Sequence, residues 1–198
     1  MSAVLNCNIT FIGGGNMAQA LIGGLIARGM PTTRITVADP FENVRQLLQE
    51  KDVHVTDDNI AAIEKADIVV LAVKPQVLAN VLKQLHGLLD GKLVISIVAG
   101  AEIATMAALS GTERIVRVMP NTPALVQTGA HGLYATDVVD AKDRELASQV
   151  LAATGLTIWV NSEAQIDAVT AVSGSGPAYF FYMMESMIRA GKNLGLDE

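Results

Sequence analysis

The stretch Asn8-Ile9-Thr10-Phe11-Ile12-Gly13-Gly14-Gly15-Asn16-Met17-Ala18 decides the fold, because a strand-like run enters a glycine turn and the helical pattern of residues 16–30 follows at once. In the G-x-G-x-x-G/A pattern Gly13 permits a tight turn, Gly15 has no Cβ to hold a pyrophosphate off the backbone, and Ala18 lets the helix pack on the strand. The free N–H groups and the positive dipole end at Asn16 would hold the anion. Glycine turns also arise for conformational reasons alone, so the next acid carries weight. Asp39 closes the strand-like run Arg34-Ile35-Thr36-Val37-Ala38, about 20 residues on, where an acid accepts hydrogen bonds from an adenosine ribose.

Outward from that turn, strand-like runs at 8–13, 34–39, 53–55, 67–73, 92–99, 114–119, 130–135 and 156–160 alternate with helical patterns near 16–30, 42–50, 76–86, 102–109 and 140–153. The alternation predicts an α/β fold with a Rossmann-type, doubly wound, mainly parallel sheet. Ile68–Val73 and Leu93–Val98 are apolar without a break, as strands covered on both faces are. The composition changes near 163, which divides the chain into a dinucleotide-binding domain at 1–162 and the beginning of an all-helical domain at 163–198. In Ser173-Gly174-Ser175-Gly176-Pro177, Pro177 suits a first helical turn and Ser175 the position before it, so the pentapeptide reads as helix punctuation. The competing reading is a close helix or substrate contact.

Composition narrows the function. The chain has 198 residues, 51% hydrophobic and 17% charged, with a net charge of −6. That excludes disorder, and without a basic stripe nucleic acid is not expected as a partner. Residues 1–27 carry no charge, but five glycines and the polar Asn6, Asn8, Thr10, Asn16 and Gln19 leave no apolar run of the ~18 to 20 residues that span a bilayer. No membrane partner is expected, and no basic residue precedes Arg28 to open a signal peptide. With Cys7 the sole cysteine and His54, His86 and His131 scattered, no metal is expected and the histidines read as surface or packed residues. A cytoplasmic location is the default expectation.

No Gly-x-Ser-x-Gly elbow and no Walker Gly-Lys-Ser/Thr occurs, so hydride transfer remains, a chemistry that the cofactor itself carries. Two further loops fall at carboxyl ends of strands, where open α/β sheets bind ligands. In Val73-Lys74-Pro75-Gln76, Lys74 is either a solvated charge or a contact to the cofactor's ribose or phosphates. In Val118-Met119-Pro120-Asn121-Thr122-Pro123-Ala124, Pro120, Asn121 and Thr122 are either turn formers bonded to local backbone or substrate-side residues.

Phe11–Ala18, Ala72-Val73-Lys74-Pro75, Ala99-Gly100, Met119–Ala124, and Ile166–Thr170 through Ser173–Tyr179, in this order, together resemble pyrroline-5-carboxylate reductase over essentially the whole chain. The resemblance implies an oxidoreductase that reduces the cyclic imine of 1-pyrroline-5-carboxylate to L-proline, with NADPH or NADH as cofactor. It implies cofactor contacts at Ile12, Gly13, Gly14, Gly15, Asn16, Met17, Asp39, Asn59, Val73, Lys74 and Ala99, and a substrate-side contact at Glu163. It also implies a homodimer or higher homo-oligomer through the C-terminal helices.

The chain departs from that family in two ways. It ends at Asp197-Glu198, before the family's Ser-Pro-Gly-Gly-Thr loop, so the catalytic groups are expected beyond Glu198 and residues 1–198 are expected to bind dinucleotide with little reductase activity by themselves. Asp39 stands where members that prefer NADPH often have a small hydroxyl or amide residue. It leans the cofactor toward NADH, with no arginine close behind it and Arg45 read as two turns into the next helix. The alternatives are a related imine or hydroxyacid oxidoreductase, which should lack the two later motifs together, and a non-catalytic dinucleotide-binding or sensing module.

Overall fold

The structure, a computed structural model, describes residues 5–197. Its centre is one eight-stranded sheet in the order β3-β2-β1-β4-β5-β6-β7-β8, with β1 at Ile9–Ile12, β2 at Ile35–Ala38, β3 at His54–Thr56, β4 at Ile68–Leu71, β5 at Leu93–Ser96, β6 at Ile115–Met119, β7 at Gly129–Ala135 and β8 at Gly155–Trp159. The first six strands in that order are parallel, which makes this a Rossmann-type sheet. β7 runs antiparallel to β6, and β8 runs parallel to β7. Length explains the reversal. Only residues 120–128 join β6 to β7, fewer than the dozen or so that a parallel crossover needs.

Helices α1 (Asn16–Ala27), α2 (Glu42–Gln49), α3 (Asn59–Ile63), α4 (Pro75–Gln84), α5 (Ile103–Ser110) and α6 (Ala141–Ala152) connect the strands. On one face Leu21, Ile22 and Leu25 of α1 and Val150 and Leu151 of α6 pack on Phe11, Val37, Ile95 and Val118. On the other, Leu78 and Leu82 of α4 and Met106 of α5 pack on Ile12, Val69, Leu71 and Val94. Burying each such side chain stabilises by about 1.5–3 kcal/mol. Both faces of β4 and β5 are thus covered, as their unbroken apolar runs require. The five-residue α3 escapes the periodicity because it is too short to show a repeat. Its start is fixed instead by Asp58, whose carboxylate accepts the Ile60 and Ala61 N–H groups.

Beyond β8 the chain is helical: α7 (Glu163–Val169), a π turn (Thr170–Gly174) and α8 (Gly176–Asn193). Pro177 does fall in the first turn of α8. Ser175, however, keeps helical dihedrals (φ −88°, ψ −25°) and caps nothing. Its N–H and its hydroxyl both donate to the Thr170 carbonyl, at 2.9 and 3.1 Å. The pentapeptide is therefore a continuous helical path through a π turn rather than a stop and a restart.

Candidate functional site: the glycine turn and the carboxyl edge of the sheet

The strand order reverses between β1 and β4, and a crevice outside the carboxyl ends of strands at such a reversal is where open α/β sheets bind ligands. Three glycines there have three different jobs. Gly13 adopts φ +99°, and a Cβ on it would stand 2.6 Å from the Ala72 carbonyl oxygen, so backbone conformation and space both demand glycine. At Gly14 a Cβ would come within 2.7 Å of Val44 and Leu48, so glycine lets α2 close on the turn. Gly15 would meet nothing within 4 Å. It opens onto free space at the mouth of α1, whose start has no side-chain cap. The opening, the uncapped N–H groups and the dipole together fit a dinucleotide pyrophosphate.

Ile12 anchors the turn from the core, Asn16 is exposed and Met17 half-buried. Asp39, only 7% exposed, accepts the Gly14 N–H on Oδ2 at 2.8 Å and the Phe41 N–H on Oδ1 at 2.9 Å. Arg45 is closer than the sequence reading held. α2 opens at Glu42, where the sequence placed it, and Arg45 is its fourth residue, one turn in rather than two. From there its guanidinium donates to the Asp39 carbonyl at 2.8 Å. A cation therefore stands behind the acid.

The other residues expected on the cofactor side follow other strands to the same edge. Asn59 opens α3 and donates to Gln84 Oε1 of α4 at 3.0 Å. Val73 is half-buried and Lys74 exposed after β4, and Ala99 is exposed after β5.

After β6, Pro120 is buried and Thr122 exposed at the start of a 3₁₀ turn. Asn121 is committed within the protein: its Oδ1 accepts the Ala130 N–H at 2.9 Å, and its Nδ2 donates to the Ser173 hydroxyl and carbonyl at 3.2 and 3.4 Å. Glu163 is committed too. Its Oε1 accepts the Ile103 N–H at the start of α5 (2.7 Å) and Arg117 Nη1 (3.0 Å).

Arg117, 3% exposed on β6, also binds Asp167 at 2.8 Å. Sequence reasoning passed over it, although a signal was present. One charge inside Ile115-Val116-Arg117-Val118-Met119, a strand buried on both faces, demands an opposite charge within reach. His131 on β7 is 1% exposed, with Nε2 at 3.0 Å from the Thr154 hydroxyl and no partner for Nδ1 among the described residues. Burial pushes its pKa down to about 4. Among the described residues no helix is long and apolar enough to cross a membrane, and no group of His, Cys, Asp and Glu side chains could hold a metal ion.

An open sheet with this reversal, a glycine turn and an acid at the end of the second strand define a Rossmann-type dinucleotide-binding protein. Comparison with known proteins takes the assignment further. Residues 8–100 match the family model described as NADP oxidoreductase coenzyme F420-dependent, and residues 163–198 match that of pyrroline-5-carboxylate reductase dimerisation. The pyrroline-5-carboxylate reductase of Pseudomonas aeruginosa is 50% identical over 191 residues, 95% of this chain and 70% of that protein. A pyrroline-5-carboxylate reductase structure from Coxiella burnetii superposes with a TM-score of 0.90 at 44% identity, covering 98% of this chain and 73% of that one. That of Plasmodium falciparum pyrroline carboxylate reductase with NADP bound gives 0.88 at 31% identity, covering 98% and 72%. The chain belongs to the pyrroline-5-carboxylate reductase family.

Proposed function

We propose that this chain reduces 1-pyrroline-5-carboxylate to L-proline, the last step of proline biosynthesis. The carrying observation is the 2.8 Å bond between the Gly14 N–H and Asp39, which joins the phosphate turn and the ribose acid in one crevice of a family member. A nicotinamide bound in that crevice supplies the hydride for the imine carbon. The chain's own part is to bind and orient. The open approach at Gly15 and the N–H groups of Asn16 and Met17 receive the pyrophosphate, with Gly13 and Gly14 shaping the turn. Asp39 accepts the adenosine ribose. Lys74 lies toward the ribose and phosphates, and Ile12, Asn59, Val73 and Ala99 complete the cofactor side. Pro120, Asn121, Thr122 and Glu163 form the substrate side, where Asn121 acts as frame because both its amide atoms bind the protein itself and Glu163 does so through Oε1.

Asp39 leans the cofactor toward NADH, because a carboxylate ~4 Å from a 2′-phosphate is opposed by about 4 kcal/mol at an effective dielectric of 20. Arg45 offsets part of that and narrows the margin. Residues 1–162 serve as the cofactor domain and residues 163–198 belong to the dimerisation domain.

α8 supports a homo-oligomer. Tyr179, Phe180, Phe181, Tyr182, Met183 and Met184 are six consecutive exposed residues and, at about 100° per residue, they sweep the whole circumference of the helix. A helical stretch apolar on every side calls for enclosure, which a second copy of this chain provides. A single-cysteine chain of this kind fits the cytoplasm.

The test is steady-state reduction of pyrroline-5-carboxylate by the protein at its natural length, with NADH and with NADPH. Turnover with both, faster with NADH, is expected. Dinucleotide binding without turnover would overturn the reductase reading.

A further inference from the structure

We infer that Arg117 is a positioning residue for the proposed reduction, acting from within the sheet on the loop after β6; the inference rests on the reductase reading. Its guanidinium is buried, and its two ends hold Glu163 at 3.0 Å and Asp167 at 2.8 Å, one turn apart on α7. Glu163 at the same time accepts the Ile103 N–H. Three elements therefore meet at one cation: β6, the first turn of α7 through both its ends, and the start of α5. A lysine cannot reproduce this, because an ammonium is a single point where the guanidinium is a planar fork.

What Arg117 fixes is the seat of the π turn. Downstream of Asp167, Val169 sits over Gly132 and Met119 lies under Gly174, so closely that a Cβ on either glycine would come within 3.0 or 2.6 Å. Ser173, inside the π turn, then receives the Asn121 amide. The path runs from Arg117 through α7 and the π turn to Asn121, at the carboxyl end of the strand that carries Arg117. Among the described residues no hydrogen bond joins this path to the Gly13–Gly15 turn or to Asp39. Arg117 therefore acts on the substrate side and leaves dinucleotide binding alone. π turns recur at functional sites, and here the ion pairs hold one in register.

The experiment uses the protein at its natural length and compares wild type with Arg117→Lys, Asp167→Asn, Ser173→Ala and the double variant of the last two. Asp167 is 69% exposed, so Asp167→Asn keeps the fold where Arg117→Lys could lose it. Dinucleotide dissociation constants should stay within about twofold, while kcat/KM for pyrroline-5-carboxylate falls tenfold or more in Arg117→Lys and less in Asp167→Asn, on the scale of a misplaced positioning contact. The Asp167 and Ser173 effects on kcat/KM should be non-additive, since they lie on one path. Wild-type kinetics in Asp167→Asn, additive effects, or dinucleotide affinity falling in step with turnover would each overturn the inference. A wild-type protein that binds dinucleotide without reducing the substrate would overturn the reductase reading itself, and would be recognised before any variant is compared.

Discussion

The Gly14 N–H donates to Asp39 Oδ2 at 2.8 Å, so the glycine turn of β1 and the acid of β2 are one hydrogen-bonded unit. A change at either residue is felt at both the phosphate and the ribose ends of the crevice.

Gly13→Ala and Gly15→Ala should separate folding from binding. Alanine at 13 meets the Ala72 carbonyl at 2.6 Å with φ at +99°, which should destabilise the protein by about 1–3 kcal/mol. Alanine at 15 meets nothing, so the melting temperature should hold while dinucleotide affinity drops by roughly 1–3 kcal/mol. Calorimetric titration beside a thermal melt reads both. An unchanged dissociation constant in Gly15→Ala would make the turn purely structural.

Asp39 and Arg45 should pull cofactor choice in opposite directions. Asp39→Ser removes a negative charge from the ribose end and should shift the NADPH-to-NADH affinity ratio upward by about tenfold or more, a change of 1.4 kcal/mol. Arg45→Gln removes the cation at the Asp39 carbonyl and should shift the ratio the other way. Equal changes for both cofactors would show that neither residue senses the 2′-position.

The part of this protein legible in its sequence is the part governed by period and by glycine. All eight strands lie where apolar runs predicted them, and the turn at 13–15 is visible because Gly13 has no substitute. What stayed hidden depends on partners distant in sequence. Arg45 is the exception: the start of α2 at residue 42 was legible, but Arg45 is its fourth residue rather than two turns in, and the backbone carbonyl it binds leaves no mark in the sequence. Glu163 and Asn121 looked free to meet substrate, yet their partners, Arg117 and Ser173, lie about 50 positions away. The π turn was hidden as well, since its residues are compatible with an ordinary cap.

His131 should make the protein acid-labile. Its pKa in the folded state is about 4, below the ordinary 6.5, so between those values the unfolded chain takes up a proton that the folded one refuses. The stability contributed by neutral His131 is complete above pH 6.5 and is lost as pH falls toward 4, on the order of 3 kcal/mol in total. Urea unfolding at pH 7.5 and 4.5 should show this fall, and His131→Gln should shrink it. An equal fall in the variant would assign the lability to other groups.

Phe180→Asp should weaken self-association. Phe180 is 63% exposed on α8, and a carboxylate there would have to be desolvated when a second copy covers the helix. Sedimentation should show a smaller species with dinucleotide binding retained. A variant that assembles like the wild type would place the interface elsewhere.

The central claim is that the crevice beside Gly15 and Asp39 delivers hydride to a pyrroline imine. The most direct measurement follows deuterium from the nicotinamide C4 of a labelled cofactor into product, using the protein at its natural length and pyrroline-5-carboxylate as acceptor. The account predicts L-proline carrying one deuterium on the ring carbon that was doubly bonded to nitrogen, with label transfer falling in Gly15→Ala at subsaturating cofactor. Unlabelled proline, or no proline from a protein that binds the dinucleotide, would contradict it.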